Sequence, residues 1–256
     1  MIAWIFLGGR IGISIMALAL ALGCMREFSE VAFHLPDKKE KFFAMMGITW
    51  LVAFVNFWVP RIEYELLLFT MMGLFSYFLV TAEKHQDRAI LKSHFGELAM
   101  SVFGLLYLTF IPLFLPLIYA ESRGPKLVFL FFLIVFLGDT GAYFVGKKWG
   151  KIKLYPEISP NKTVEGALGG LGAGLLITII SKLTYLPNLS WVGVIFIPPL
   201  VGSIAQVGDF CESFLKRSFS IKDSGSLLPG HGGFLDRFDG VLFGLPMMYA
   251  CVKILS

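Results

Sequence analysis

Long apolar runs alternate with short polar connectors along the whole chain. A helix needs roughly 17 to 25 mostly apolar residues to cross a bilayer. Eight runs approach or meet that length, at about 3–25, 42–59, 66–82, 97–119, 127–146, 164–183, 189–207 and 240–255. The pattern therefore predicts an all-α polytopic membrane protein with about eight transmembrane helices, within a range of seven to nine. The first run is read as a retained span rather than a cleaved signal, because Arg10 follows an initial apolar stretch and more spans come after it. Pro112 and Pro116 are expected to interrupt the fourth span, and Pro198 and Pro199 to break the seventh. Broken helices are tolerated where they line a cavity, so a cavity is expected below the end of the seventh. Gly166, Gly170 and Gly174, four apart, predict a close-packing face on the sixth. Residues 1–125 form the N-terminal helices and 126–256 carry the polar motifs, within one continuous membrane domain.

Composition agrees with this class. The chain of 256 residues is 56% hydrophobic and 16% charged, against roughly 25% charged in soluble domains. The formal charge of +4 does not call for nucleic acid, since the lysines and arginines fall in short connectors. Alternate connectors (Arg26 to Lys41, Lys84 to Lys92, Lys147 to Lys162 and Lys216 to Arg237) hold most of them. The positive-inside rule puts those loops in the cytoplasm and both termini outside. The segment from Arg26 to Lys41 reads as a charged helical connector. Cys24, Cys211 and Cys251 are odd in number and far apart, which supports neither a zinc site nor a disulfide framework. His34, His85 and His94 sit in loops with no spacing partners and are assigned no role.

One polar stretch stands against the apolar background: DFCESFLKRSFSIKDSGSLLPGHGGFLDRFD, Asp209 to Asp239. If the helix continues over 209–219, Asp209, Glu212, Ser213 and Lys216 share one face. Two carboxylates and a hydroxyl beside a lysine suit a hard cation with a phosphate next to it. Pro229, Gly230, Gly232 and Gly233 surround His231 in a loop whose backbone N–H groups can approach a phosphate. Asp236 and Asp239, three apart at the start of the last span, face the same way near a positive helix end.

Two residues outside the stretch join it as candidates. Asp139 lies in FLGDTGAYFVG, where a carboxylate is costly in a membrane. It is either a site residue or the partner of Lys147 or Lys148. The lysines of Lys147 to Thr163 serve topology and anionic lipid contacts, but Lys162 differs. Ser159-Pro160-Asn161 reads as a turn, after which Lys162, Thr163 and Glu165 open a helix whose N-terminus suits a phosphate.

The segment SFLKRSFSIKDSGSLLPGHGGFLDRFD resembles the signature of the phosphatidate cytidylyltransferases, S-x-x-K-R-x4-K-D followed by P-G-H-G-G-x-x-D-R-x-D. Its fixed positions are met by Ser213, Lys216, Arg217, Lys222, Asp223, Pro229, Gly230, His231, Gly232, Gly233, Asp236, Arg237 and Asp239. DTGAYFVGKKWGK and SPNKTVEG are similar to two further segments of that family. The resemblance covers about residues 130–256, and family members usually have one more span before REFSEVA. It implies the reaction of CTP with phosphatidate to give CDP-diacylglycerol and pyrophosphate. It implies Mg²⁺ and a second cation such as K⁺, with Asp209 and Asp236 as metal ligands and Asp239 as a helper. Lys216, Arg217, Lys222, His231 and Arg237 would hold phosphates or neutralise developing charge. Asp223 and Asp239 are counted with these catalytic positions. Asp139, Lys162, Ser213, Gly232 and Gly233 are counted as substrate-binding. The expected partners are CTP, phosphatidate and membrane lipid, with a homodimer as a further expectation. The expected location is the inner cell membrane, with the site facing the cytoplasm. A CDP-archaeol synthase or polyprenol kinase fits the signature less well. A transporter would show paired repeats, and none is found. A scaffold would leave the carboxylates without a purpose.

Overall fold

The computed structural model describes residues 2–33, 38–59, 62–82, 88–221, 224–225 and 233–255. Eight of its helices are long and apolar enough to cross a membrane: Gly9–Ala32, Lys38–Trp58, Tyr64–Ala82, Ala89–Ala120, Gly124–Trp149, Val164–Thr184, Trp191–Ser218 and Leu235–Leu255. The molecule is thus an all-α, multi-pass membrane protein. Side chains such as Leu68, Phe69, Met72 and Leu79 lie exposed on one of these helices, as expected where lipid replaces water.

In chain order the helices are α1 (Ile2–Leu7), α2 (Gly9–Ala32), α3 (Lys38–Trp58), α4 (Glu63–Ala82) and α5 (Arg88–Gly104). They continue with α6 (Phe114–Ala120), α7 (Gly124–Trp149), α8 (Val164–Thr184), α9 (Trp191–Ser218) and α10 (Leu235–Leu255). A short hairpin, β1 (Lys153–Tyr155) with β2 (Ser159–Thr163), precedes α8. The chain forms two compact units.

The first unit comprises Met1–Ile13, Phe114–Asp223 and Asp236–Ser256. At its start the first apolar run is split. Gly9 takes φ +59°, a left-handed conformation open to glycine, and the Trp4 indole donates 2.7 Å to the Gly12 carbonyl across the bend. α7 and α8 pack through the expected glycine face: Gly166, Gly170 and Gly174 are buried, followed by Thr178 and Ser181. A methyl group on Gly170 would lie 2.8 Å from the Gly138 carbonyl oxygen, so only glycine allows this approach.

The expected break at Pro198 and Pro199 does not occur, and α9 runs through both. Each proline removes one backbone donor, but the Pro198 ring faces Gly174 on α8, where a side chain would otherwise stand. The helix continues to Ser218, as the spacing of Asp209, Glu212 and Lys216 required. It ends in a Schellman motif. Ile221 N–H donates to Lys216 O (2.9 Å), Ser220 N–H donates to Arg217 O (3.0 Å), and Ser220 holds φ 56°.

Ser159-Pro160-Asn161 is not a turn but part of β2, paired antiparallel with β1. The helix that follows starts later than expected, at Val164. Thr163 is its N-cap, accepting from the Gly166 amide at 3.1 Å. The Glu165 carboxylate accepts the Lys151 and Ile152 amides and holds the hairpin's base.

The second unit comprises Ser14–Leu113 and Ser224–Leu235. α2 extends to Ala32, so much of the expected polar connector is helix, supported by an Arg26–Glu30 pair (3.7 Å). After α5 the helix widens into a π segment at Leu105–Phe110 and tightens into a 3₁₀ turn at Ile111–Leu113. Pro112 therefore changes the winding rather than ending the span. Lys41 is not a loop charge. Its ammonium is buried on α3, ion-paired with Glu97 and 3.2 Å from His94 Nδ1. His94 is likewise on α5, not in a loop. His34 and His85 lie outside the described residues.

Candidate active site

Within the first unit, the described acid and lysine side chains near the last turns of α9 fall into two groups. Periodicity explains the placement, because Asp209, Glu212 and Lys216 recur at helical spacing. α9 and α10 meet closely at Gly208, where a methyl would lie 2.6 Å from the Asp239 carbonyl oxygen and 2.8 Å from Phe243 Cβ. That approach brings Asp209 beside the first turns of α10.

In the first group the Lys162 ammonium, carried in on β2, pairs with the Asp209 carboxylate and stands 4.3 Å from the Phe210 ring centroid. Asp239, 9% exposed, accepts the Gly240 amide at 2.6 Å and feels the charges of Asp209, Lys162 and Asp139. Asp139 on α7 interacts with Asp209 and Lys162. The suggested partners Lys147 and Lys148 instead lie over the rings of Tyr143 and Trp149. Asp139 is thus within electrostatic range of Asp209 and Lys162. Lys162 reaches it from a strand, one residue before the α8 N-cap, and not from the helix N-terminus.

In the second group the Lys216 ammonium bridges Glu212 (2.8 Å) and Asp236 (2.6 Å). Glu212 is buried, and among the described residues its second carboxylate oxygen has no hydrogen-bond partner. The sequence reading takes Glu212 with Asp209 as one of two carboxylates for a hard cation, whereas here Asp209 pairs with Lys162 and Glu212 with Lys216. Its burial against Lys216 and Asp236 is tertiary information that i, i+4 spacing to Lys216 only hints at.

Arg217 is exposed and its Nε donates to the Ile158 carbonyl at 3.5 Å, beside the hairpin turn. Ser213 is half-buried on α9, Arg237 is exposed on α10, and Gly233 is buried. Lys222, Asp223, His231 and Gly232, with Pro229 and Gly230, lie outside the described residues. Among the described residues Cys24, Cys211 and Cys251 form no disulfide.

The donor chemistry suits a hard cation. The acid side chains of both groups offer oxygen ligands of the kind a hard cation takes. Asp209 and Asp239 stand in the first group and Asp236 in the second. Among the described residues no three His, Cys, Asp or Glu side chains converge as a metal cage. Magnesium ordinarily uses one or two carboxylates together with substrate phosphates and water, so these pairs fit it.

A family model described as "Cytidylyltransferase family" matches residues 1–255. The chain is 43% identical over 136 residues to the phosphatidate cytidylyltransferase of Bacillus subtilis (strain 168), covering 53% of this chain and 51% of that protein. It is 49% identical over 131 residues to the enzyme so named in Staphylococcus aureus (strain COL), covering 50% and 49%. It is 36% identical over 192 residues to that of Staphylococcus haemolyticus, covering 75% and 70%. The match thus spans about half the length of the first two relatives and more of the third. With a family model matching almost every residue, and with these relatives, the chain belongs to the cytidylyltransferase family.

Proposed function

We propose that this protein transfers the cytidylyl group of CTP to phosphatidate, giving CDP-diacylglycerol and pyrophosphate. The observation that carries the reading is the pair of acid–lysine groups at the α9–α10 junction, Lys162 with Asp209 and Lys216 with Asp236. They stand in a protein whose membrane-spanning helices are mostly apolar, and the relatives' names supply the substrate class.

The chemistry asks for alignment and charge neutralisation rather than a strong base. An oxygen of the phosphatidate monoester is already anionic. It forms a bond to the α-phosphorus of CTP as the bond to the bridging oxygen of the departing pyrophosphate breaks, in line. Lys162, Lys216, Arg217 and Arg237 supply fixed positive charge for the phosphates, with Lys222 and His231 in the same signature. Ser213 and the N–H groups around Gly232 and Gly233 are hydrogen-bond donors for the triphosphate. Glu212 and Asp236 hold Lys216 between them, so its ammonium is oriented before substrate arrives. Asp209, Asp236 and Asp239 would hold Mg²⁺, with K⁺ as a second cation. When bound, the metal supplies charge neutralisation between the two anionic substrates. Asp139 adds negative charge to the Asp209 side, and Asp223 follows Lys222 in the signature.

We place the site on the cytoplasmic face of the cell membrane, where the lysine-rich connectors lie by the positive-inside rule. Phosphatidate then enters from the inner leaflet and CTP from solution. A homodimer is tested by the mass of the detergent-solubilised protein. The activity is tested with purified protein, phosphatidate, Mg²⁺ and labelled CTP. A labelled lipid is expected, and Asp236→Ala is expected to abolish it. Retained activity in Asp236→Ala would refute the assignment of that carboxylate.

A further inference from the structure

The second unit holds a buried carboxylate that the proposed chemistry does not use. Glu27 of α2 is 2% exposed. Its Oε2 accepts from the Ser224 hydroxyl at 3.0 Å and from the Leu235 amide at 2.9 Å. Those donors lie on either side of the glycine-rich half of the signature, and Leu235 directly precedes Asp236 in the chain. The fit around Glu27 is close on two more sides. A methyl on Gly225 would stand 2.6 Å from Glu27 Oε1 and 2.7 Å from its Cδ, so the backbone there passes directly against the carboxylate. One turn earlier on α2, a methyl on Gly23 would lie 2.7 Å from the Phe234 ring. One turn of α2, from Gly23 to Glu27, thus receives Ser224 and Gly225 from one flank of the signature and Phe234 and Leu235 from the other. Leu235 opens α10, whose first amides have no intrahelical acceptor, so Glu27 caps that helix from a distant part of the chain.

We infer that Glu27 is a positioning residue for the proposed cytidylyl transfer: by accepting from Ser224 and from the Leu235 amide it fixes the backbone at the start of α10, next to Asp236. It touches no substrate. It acts through the backbone that leads into Asp236, and displacement of a reacting group by about 1 Å can cost on the order of 10²-fold in rate. The proposal rests on the cytidylyl-transfer reading only for its kinetic arm.

The test uses the full chain in detergent with CTP, phosphatidate and Mg²⁺, together with hydrogen exchange of the peptide carrying Leu235. Glu27→Ala is expected to lower kcat/KM by about 10²-fold, with KM for CTP raised and kcat reduced per folded molecule. Exchange at Leu235 is expected to accelerate. Glu27→Gln keeps an acceptor oxygen of the same reach and is expected to stay within about fivefold of the wild type. Gly225→Ala leaves Glu27 in place but forces its carboxylate aside, and is expected to resemble Glu27→Ala. Thr49→Val breaks the buried Thr49–Thr109 hydrogen bond (2.8 Å) elsewhere in the same unit. It is expected to lower Tm with KM unchanged, which separates lost packing from lost positioning. Unaltered KM and kcat in Glu27→Ala would overturn the proposal. So would a Glu27→Gln variant as impaired as the alanine, or unchanged exchange at Leu235. If Glu27→Ala does not fold, Glu27→Gln and Gly225→Ala decide by the same readouts. A wild type that makes no product sinks the transfer reading alone, because the exchange experiment needs no turnover.

Discussion

Replacing Lys216 with methionine tests how the second acid–lysine group is held. The ammonium makes two charge-assisted bonds, 2.8 Å to Glu212 and 2.6 Å to Asp236. The side chains of Lys216, Glu212 and Asp236 are only 16%, 1% and 13% exposed. Methionine keeps most of the stem's volume and removes the charge, leaving two buried carboxylates facing each other. Removing one partner of a buried ion pair costs about 3–5 kcal/mol, because the charge left behind is uncompensated. At about 2–4 °C per kcal/mol for a chain near this size, Tm falls by about 10 °C. Adding Glu212→Gln then helps rather than harms. It replaces a buried carboxyl that faces Asp236 with an amide donor, so the double variant regains about 1–3 kcal/mol relative to additivity. The assay is thermal unfolding in detergent for wild type, both single variants and the double, with kcat/KM measured beside it. A Lys216→Met shift equivalent to under about 1 kcal/mol, or additivity within about 0.5 kcal/mol, would refute the picture of an ammonium committed to two acids.

Three further expectations test other parts of the site. Gly208→Ala puts a methyl 2.6 Å from the Asp239 backbone oxygen. It should cost about 1–3 kcal/mol of stability, read by thermal unfolding, and reduce turnover because α9 and α10 must separate. Ser220→Gly relieves a left-handed residue at the end of α9 and should raise stability by about 1 kcal/mol with activity retained, read the same way. Lys162→Met removes the ammonium from Asp209. Mn²⁺ binding without nucleotide, followed by loss of the free-ion resonance signal, should tighten by about fivefold, since about 1 kcal/mol of like-charge repulsion disappears.

The transmembrane helices were legible because each is a run of apolar residues long enough to span lipid, a requirement written locally in the sequence. The shared face of Asp209, Glu212 and Lys216 was legible for the same reason, since helical period is local. The hairpin was not: Lys153–Tyr155 and Ser159–Thr163 are exposed or half-buried over most of their length and carry little apolar alternation. Pro198 and Pro199 misled because their cost depends on what lies opposite, and Gly174 supplies the room. Lys41 read as a connector charge and His94 as a loop residue because burial of a charge becomes visible only when its partner, more than fifty positions away, is in place. Glu27 is the same case. Nothing in REFSEVA distinguishes its carboxylate from Glu30, yet one is buried against Ser224 and Leu235 while the other is exposed beside Arg26.

The central claim, that the group transferred is the cytidylyl moiety and the acceptor is phosphatidate, meets its most direct test in the position of a label. Purified protein is given phosphatidate, Mg²⁺ and CTP carrying ³²P either at the α or at the γ position, and the lipid phase is counted. The account predicts label in lipid from α-labelled CTP only, in a product co-migrating with CDP-diacylglycerol. Label from γ-labelled CTP would mean phosphoryl transfer to a lipid, and label from neither would mean no transfer; either result would contradict it.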